Sequence, residues 1–270
     1  MKADLRIAVA GLGAIGSSVA VALDSGAIPG AALVAVSAAD HDKARRRAEA
    51  FATPVPVLPL EALPDVADII VECLPSARVS DVAGPALRAG KTVIVLSAGA
   101  LLNQPELIEL AKSGTGQLLI PTGATLGLDA VAAAAEGEIS SVRMVSRKPP
   151  AGFKGAPLVE KKGIDLDALT TPLKLFEGSA REAARDFPAN LNVAVALSLA
   201  GIGPDRTMLE VWADPTISRN THSIELVADS AVLRMEIENI PSENPKSSRI
   251  TALSVLALLR KHVARVRVGT

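Results

Sequence analysis

The sequence predicts an α/β protein with a parallel-sheet domain in its first half and a second α+β domain with a mixed or antiparallel sheet. The length of 270 residues is enough for roughly two domains of about 150 residues each. Short apolar strands alternate with helices over residues 1–137, which is typical of a parallel sheet. The pattern changes over residues 138–246, so we expect the domain boundary between these two ranges.

In the first half, each predicted strand is a short apolar run that is followed by a helical segment. The strands are predicted at residues 5–10, 33–36, 68–73, 91–96 and 117–120, and the helices at residues 14–25, 40–52, 76–89 and 105–113. Gly26 and the pair Pro29-Gly30 close the first helix. Because apolar strands flanked by helices are buried on both faces, we expect a parallel sheet with helices on both sides.

In the second half, apolar and polar residues alternate. Leu233, Met235 and Ile237 alternate with charged residues, which gives a strand with one apolar and one polar face. Further strands are predicted at residues 142–146, 206–212 and 221–227, a loop at residues 148–157, and helices at residues 179–187 and 190–199. The last predicted helix, residues 247–263, could return to cover the first domain.

Composition excludes several functional classes. The chain has 28 Lys and Arg against 29 Asp and Glu, so its net charge of -1 offers no basic field for nucleic acid or an anionic membrane. It has no Tyr, which excludes chemistry based on a Tyr-Lys couple. Its single cysteine, Cys73, excludes an internal disulfide and a multi-Cys zinc site. No metal site, signal peptide or membrane span is indicated, so we expect a cytoplasmic protein.

The first predicted strand is followed by the motif G-x-G-x-x-G, from Gly11 to Gly16. Gly11 permits a tight turn, Gly13 lets a pyrophosphate approach the backbone, and Gly16 lets the helix pack closely on the strand. Ala14 and Ile15 open the helix, whose N-terminus faces the anion. This motif between a strand and a helix predicts a Rossmann-type dinucleotide-binding domain; the alternative is a glycine-rich structural turn.

The end of the second predicted strand bears on the choice between NAD and NADP. A ribose-binding acid is expected about 20 residues after the glycines, but Ser37 occupies the strand tip. A small hydroxyl with nearby cations can accept a 2′-phosphate, although the cations could equally form a solvated helix face. These cations are Lys43, Arg45, Arg46 and Arg47. We therefore expect NADP to be accepted, alongside NAD.

His222 is the candidate for proton transfer. It follows a polar segment, residues 214–221, which is predicted to be a loop entering a strand. A histidine in such a loop titrates near neutral pH and can shuttle a proton. From spacing alone, a surface-loop histidine with no catalytic role is the favoured interpretation. His41 and His262 lie on predicted helix faces and are interpreted as solvated.

Other candidate side chains also have structural alternatives. Asn190 and Asn192 open an apolar helix, where they could be an N-cap and its neighbour, or amides that orient nicotinamide or substrate. Arg147 and Lys148 could clamp a substrate carboxylate or face water. Cys73 ends a predicted strand and is interpreted as a buried small residue rather than a nucleophile.

Several ordered motifs characterise the chain as a whole. They are residues 11–16 (GLGAIG), 121–130 (PTGATLGLDA), 146–150 (SRKPP), 187–201 (FPANLNVAVALSLAG), 214–224 and 243–248 (ENPKSS). With these motifs the sequence resembles the L-aspartate dehydrogenase family over nearly its full length. It departs from the family at Phe153, which follows the Pro-Pro pair where the family often has a tryptophan.

The resemblance implies that Ala124 and Asn190 match cofactor-contacting positions and that His222 matches the catalytic histidine. The family oxidises L-aspartate with NAD or NADP to iminoaspartate, which supplies NAD biosynthesis or hydrolyses to oxaloacetate and ammonia. We expect a homodimeric enzyme that acts on this small-molecule substrate. The alternatives are a dehydrogenase for another small carboxylate such as homoserine, and a non-catalytic NAD(P)-sensing regulator, which would need the glycine motif but not His222.

Overall fold

The computed structural model describes residues 4–187, 191–241 and 248–269. The chain divides into two compact units, the first comprising the residues up to Pro121 together with Thr251–Val268, and the second Thr122–Ile250. The change between units therefore falls before the expected boundary at residues 137 and 138. Residues 128–135 fall in the range expected to be the first domain and were not predicted to be helical. They form the helix Leu128–Ala135, which supplies Val131 and Ala134 to the core of the second unit.

The first unit is built on a parallel sheet of five strands in the order β2-β1-β3-β4-β5. The strands are β1 (Leu5–Ala10), β2 (Ala31–Ser37), β3 (Ile69–Glu72), β4 (Thr92–Val95) and β5 (Gln117–Leu119). Ile7 and Val9 enter one apolar core, whereas Ala8 and Ala10 enter another. Successive strand residues point to opposite faces, so the sheet is covered on both sides, as the sequence predicts.

Helices connect these strands and supply the two cores. They are α1 (Ala14–Asp24), α2 (His41–Glu49), α3 (Leu63–Val66), α4 (Val79–Arg88), α5 (Gly99–Asn103) and α6 (Pro105–Ser113). The Asp40 carboxylate accepts the Lys43 N–H and caps α2. Within the part of the chain described by the structure, no helix is long and apolar enough to cross a membrane.

The second unit is built on a mixed sheet of five strands in the order β10-β9-β6-β8-β7. The strands are β6 (Ile139–Lys148), β7 (Leu173–Ser179), β8 (Thr207–Ala213), β9 (Asn220–Ala228) and β10 (Val232–Asn239). β6 and β8 are parallel, and the other neighbouring strands are antiparallel. The predicted class of a parallel-sheet domain plus an α+β domain is confirmed.

One face of the mixed sheet is covered and the other carries charge. The helices of this unit are α7 (Leu128–Ala135), α8 (Pro157–Lys162), α9 (Ala180–Asp186) and α10 (Asn192–Ala200). Met144 and Ile224 pack with α7 and α10 residues in one core. On the other face, Arg143 pairs with Glu210 and Arg234 with Glu225.

The final helix, α11 (Arg249–Val263), contributes to the core of the first unit. Val255 and Leu259 are fully buried there with Ile7 and Val19. The Arg260 guanidinium donates to the Ala27 carbonyl at 2.7 Å. Helix α11 therefore completes the apolar core on one face of the parallel sheet.

Candidate active site

The glycine-rich loop after β1 has the geometry of a pyrophosphate cradle. Gly11 has a φ of +101°, and a Cβ there would lie 2.4 Å from the Cys73 carbonyl oxygen. A Cβ on Gly16 would lie 1.8 Å from the Gly11 carbonyl oxygen, so close packing requires glycine at both positions. Around Gly13, by contrast, nothing lies within 4 Å of the Cβ position. This open backbone leaves the space that a dinucleotide pyrophosphate needs.

The first turn of α1 suits an anion. Gly13 is the N-cap, and the first turn contains no acidic residue. Ala14 is exposed beside it, while Ile15 is half-buried against the core. Unpaired N–H groups and the helix dipole at such an N-terminus favour a phosphate. The residues of this loop therefore fit a dinucleotide.

Ser37 and α2 lie next to the glycine-rich loop. Ser37 is buried at the tip of β2, and its carbonyl accepts the Gly11 N–H at 2.7 Å. The Arg47 guanidinium donates to the Leu12 carbonyl at 2.7 Å and to the Ser17 hydroxyl at 2.8 Å. Lys43 precedes Arg47 by one turn on the same helix face, whereas Arg45 lies on the opposite face. The structure thus brings one of the four predicted cations, Arg47, into contact with the cofactor loop.

In the second unit, polar side chains collect at one end of the covered sheet face. Ser146 on β6 lies opposite His222 on β9, and Lys148 follows two residues later on the same face. Asn220 on β9 lies opposite Asn239 on β10. All five are buried, and together we call them the polar end. Buried polar groups at the edge of an apolar core indicate a binding site when their hydrogen bonds are incomplete.

His222 occupies a different position from the one predicted. It is the third residue of β9 rather than part of a loop, and it is 2% exposed. Burial, together with the charge of Lys148, lowers the pKa of His222 to about 3. The predicted titration near neutral pH is therefore wrong for this fold, because a buried imidazole is costly to charge. Its Nδ1 atom has no hydrogen-bond partner among the described residues.

Lys148 is the charged member of the polar end. It is the last residue of β6, not part of the predicted loop, and its Nζ lies 5.9 Å from the centre of the Phe153 ring. Burial lowers the pKa of Lys148 to about 8. A buried ammonium of this kind gains most from an anion, because its hydration has been lost.

Arg147 and Lys148 lie on opposite faces of β6. The Arg147 guanidinium lies 4.6 Å from the centre of the Trp212 ring and 3.2 Å from the Asp214 carboxylate. Asp214 also accepts from the backbone and hydroxyl of Thr216. The geometry does not bring Arg147 to the polar end, so the two cations do not form one clamp.

Ala124, a predicted cofactor-contacting residue, is hydrogen-bonded to Asn239 of the polar end. The Asn239 amide donates to the Ala124 carbonyl at 2.9 Å. The Asn239 Oδ1 and the neighbouring Thr125 hydroxyl are buried without a partner in the described ranges. Asn192 is the first residue of α10, with Leu191 at the N-cap position, and Asn190 lies outside the described residues.

Sequence reasoning missed four of these residues: Ser146, Asn220, Asn239 and Thr125. Asn239 could have been found, since it continues the apolar series of Leu233, Met235 and Ile237 on one strand face. A polar residue in an apolar phase indicates a buried polar group. Ser146 and Asn220 required knowledge of strand register, and Thr125 lies in the irregular segment before α7. No group of three His, Cys, Asp or Glu able to hold a metal occurs among the residues that the structure describes.

Comparisons with known proteins agree with both units. Residues 11–121 match the model of the homoserine dehydrogenase NAD-binding domain, and residues 129–262 match that of the aspartate dehydrogenase C-terminal domain. L-aspartate dehydrogenase 3 of Bordetella bronchiseptica is 61% identical over 100% of this chain and 99% of its own. L-aspartate dehydrogenase of Bradyrhizobium diazoefficiens is 55% identical over 100% and 95%.

A solved structure supports the fold. Aspartate dehydrogenase from Thermotoga maritima superposes with a TM-score of 0.73 at 22% identity, covering 98% of this chain and 99% of its own. Two close relatives and a matching C-terminal model carry the assignment beyond the fold. The chain therefore belongs to the L-aspartate dehydrogenase family of NAD(P)-dependent oxidoreductases.

Proposed function

We propose that the polar end binds L-aspartate and moves the protons of its oxidation to iminoaspartate, which hydrolyses to oxaloacetate and ammonia. The observation that carries this proposal is the pairing of a buried ammonium, Lys148, with a buried imidazole, His222, on one sheet face. Both are needed for a dicarboxylic amino acid: one group for a carboxylate and one for the nitrogen. NAD or NADP, held by the glycine-rich loop, supplies the hydride acceptor.

Lys148 recognises a substrate carboxylate in this proposal. A substrate carboxylate that enters the polar end would form a charge-assisted hydrogen bond with this buried ammonium. Asn239 Oδ1 and the Thr125 hydroxyl are buried acceptors that suit the substrate amino group. We further propose that Asn192 contacts the substrate and that Ala124 and Asn190 contact the cofactor.

His222 takes the proton from the substrate nitrogen and returns it in the reverse direction. The neutral imidazole that burial maintains can accept a proton. A bound dicarboxylate brings negative charge to the polar end and offsets the charge of Lys148. This raises the pKa of His222 above its value in the free protein. Substrate binding therefore activates the base.

Cofactor choice follows from the first unit. Ser37 at the tip of β2, with Arg47 and Lys43 on the adjoining helix face, supports acceptance of the NADP 2′-phosphate alongside NAD.

The single cysteine supports a cytoplasmic location. We also propose a homodimer that forms through the charged face of the mixed sheet, because no helix among the described residues of the second unit covers that face. Sedimentation analysis tests that last point.

A turnover assay tests the proposed reaction. Purified protein, oxaloacetate, ammonia and NADH or NADPH should give loss of the reduced-nicotinamide absorbance, and L-aspartate with the oxidised cofactor should give the reverse. Turnover with homoserine and none with aspartate would show that homoserine, not aspartate, is the substrate. Cofactor binding without any turnover would indicate the sensing regulator instead.

A further inference from the structure

Glu72 is a buried carboxylate that none of the roles above uses. It ends β3 and is 0% exposed. One oxygen, Oε1, accepts the Leu74 N–H at 2.6 Å, and the other, Oε2, accepts the N–H groups of Leu96 at 3.1 Å and Ser97 at 3.0 Å. Burial raises the pKa of Glu72, and the donors of Ser97 and Leu74 oppose that rise. One side chain thus fixes the backbone that follows both β3 and β4.

The two segments held by Glu72 lie at the carboxyl edge of the sheet. In the order β2-β1-β3-β4-β5, the connections leave β1 and β3 in opposite directions, so the switch point lies between these strands. Ligands of such sheets bind in the crevice at that point. The segment after β3 also backs the glycine-rich loop, since the Cys73 carbonyl and the Leu74 side chain approach the Cβ position of Gly11.

The cofactor has two halves, and the topology assigns them different strands. The ribose of the adenine half is recognised at the tip of β2, where Ser37 lies, and the pyrophosphate at the loop after β1. A dinucleotide extended along this edge continues past β1 towards β3 and β4. Glu72 therefore holds the backbone that the nicotinamide half meets. The tip of β2, where the ribose of the adenine half is recognised, is two strands away in the sheet order.

We propose that Glu72 is a positioning residue for the nicotinamide half of the cofactor. Through its hydrogen bonds to Leu74, Leu96 and Ser97, it sets the backbone against which the nicotinamide ribose and ring lie. Glutamine cannot replace it, because the amide would turn an NH₂ group towards one set of N–H donors. The proposal concerns cofactor binding alone and does not depend on the substrate or on the roles of Lys148 and His222.

Binding of whole cofactor and of its adenine half separates this role from a general structural one. For Glu72→Gln, calorimetric titration should show about tenfold weaker binding of NADH and NADPH, from loss of hydrogen bonds to a charged group. ADP, the probe of the adenine half, should bind within about twofold of the wild type. kcat at saturating cofactor should also fall, since a misplaced ring is a poor hydride acceptor.

Val82→Ala is the matched control, because Val82 is fully buried on α4 in the same unit. It should lower thermal stability yet leave all three dissociation constants unchanged. If Glu72→Gln weakens ADP and NADPH equally, or weakens neither, the proposal is wrong. Should that variant fail to fold, Ser97→Ala removes a hydroxyl that lies 3.1 Å from Glu72 Oε1 and 2.9 Å from the Leu74 carbonyl oxygen, which belongs to the same backbone segment. It should weaken NADPH but not ADP, and equal effects on both would again overturn the proposal.

Discussion

The sites that we propose in the two units differ in how they would bind their ligands. The first unit offers backbone groups to its ligand. Gly11, Gly13 and Gly16 have no side chains, and the N–H groups at the start of α1 face the ligand. The second presents buried side chains, among them Lys148 and His222, whose pKa values are both lowered by burial. A backbone cradle depends little on pH, whereas a buried side-chain site depends on which groups are charged. Substitutions in the two units should therefore affect different quantities.

The largest effect is expected from His222→Asn. This change keeps polarity and approximate size but removes the proton acceptor, so turnover should fall roughly 10²–10⁴-fold, as for other lost general acid–base groups. Dissociation constants for NADH and NADPH, measured by calorimetry, should stay unchanged, since His222 is not among the residues proposed to contact the cofactor. His262→Asn, at an exposed helix position, is the control. Near-wild-type turnover of His222→Asn would make His222 a bystander and erase the proposed contrast between the units.

Gly13→Val tests the backbone side of the comparison. A valine fits the free protein, because nothing lies within 4 Å of its Cβ position, but it occupies the space of the pyrophosphate. Cofactor affinity should fall about 100-fold through displaced charge-assisted hydrogen bonds, with thermal stability retained. Gly16→Val should instead lower stability, since its Cβ would lie 1.8 Å from a carbonyl oxygen. Calorimetry and thermal unfolding measure both, and unchanged affinity in Gly13→Val would refute the cradle.

Lys148→Met and Arg147→Met sharpen the comparison within the second unit. Loss of the Lys148 charge should raise the KM for oxaloacetate about tenfold, the worth of a charge-assisted contact. Arg147→Met should have a much smaller effect, because Arg147 lies on the other sheet face against Trp212 and Asp214. Steady-state kinetics at saturating cofactor measure both values. The opposite ranking would return Arg147 to the substrate site.

The pH dependence of the same KM gives an independent check. The pKa of Lys148 is about 8 in the fold, so the ammonium loses its proton as the pH rises through that value. The KM for oxaloacetate in the wild type should therefore rise above about pH 8, and the rise should be absent in Lys148→Met. A wild-type KM that stays flat up to pH 9.5 would contradict carboxylate binding by Lys148.

The smallest effect concerns cofactor choice. Arg47→Ala should lower the preference for NADPH over NADH by about fivefold, the scale of one exposed charge pair. Arg45→Ala, on the opposite face of α2, should leave that ratio unchanged. Equal effects of both variants would show only a general influence of positive charge on this helix.

The same contrast explains what could be predicted from the sequence. The glycine-rich loop was predictable because its function lies in the absence of side chains at fixed spacing, and such a pattern is local. The position of Ser37 was predictable for the same reason, since it ends the second strand, about 20 residues after the glycines. The parallel sheet followed from runs of apolar residues that bury both faces.

The polar end was less predictable because it is assembled by strand register. Whether His222 lies in a loop or a strand, and whether Lys148 or Arg147 faces the core, depends on pairings between β6 and β9 that are far apart in sequence. A shift of one residue exchanges the faces of Arg147 and Lys148. The missed strand β7 and helix α7 have the same cause, since their burial is decided by tertiary contacts.

The buried state of His222 also limits the conditions under which the second unit stays folded. In the unfolded chain the imidazole binds a proton below its ordinary pKa of 6.5, whereas in the fold it does not do so until about 3. Between these values the unfolded state takes up more protons, so acid draws the equilibrium towards unfolding. The penalty that His222 imposes on the free energy of unfolding should be absent above pH 6.5 and should grow as the pH falls towards 3. The residue proposed to perform catalysis thus makes the protein acid-labile.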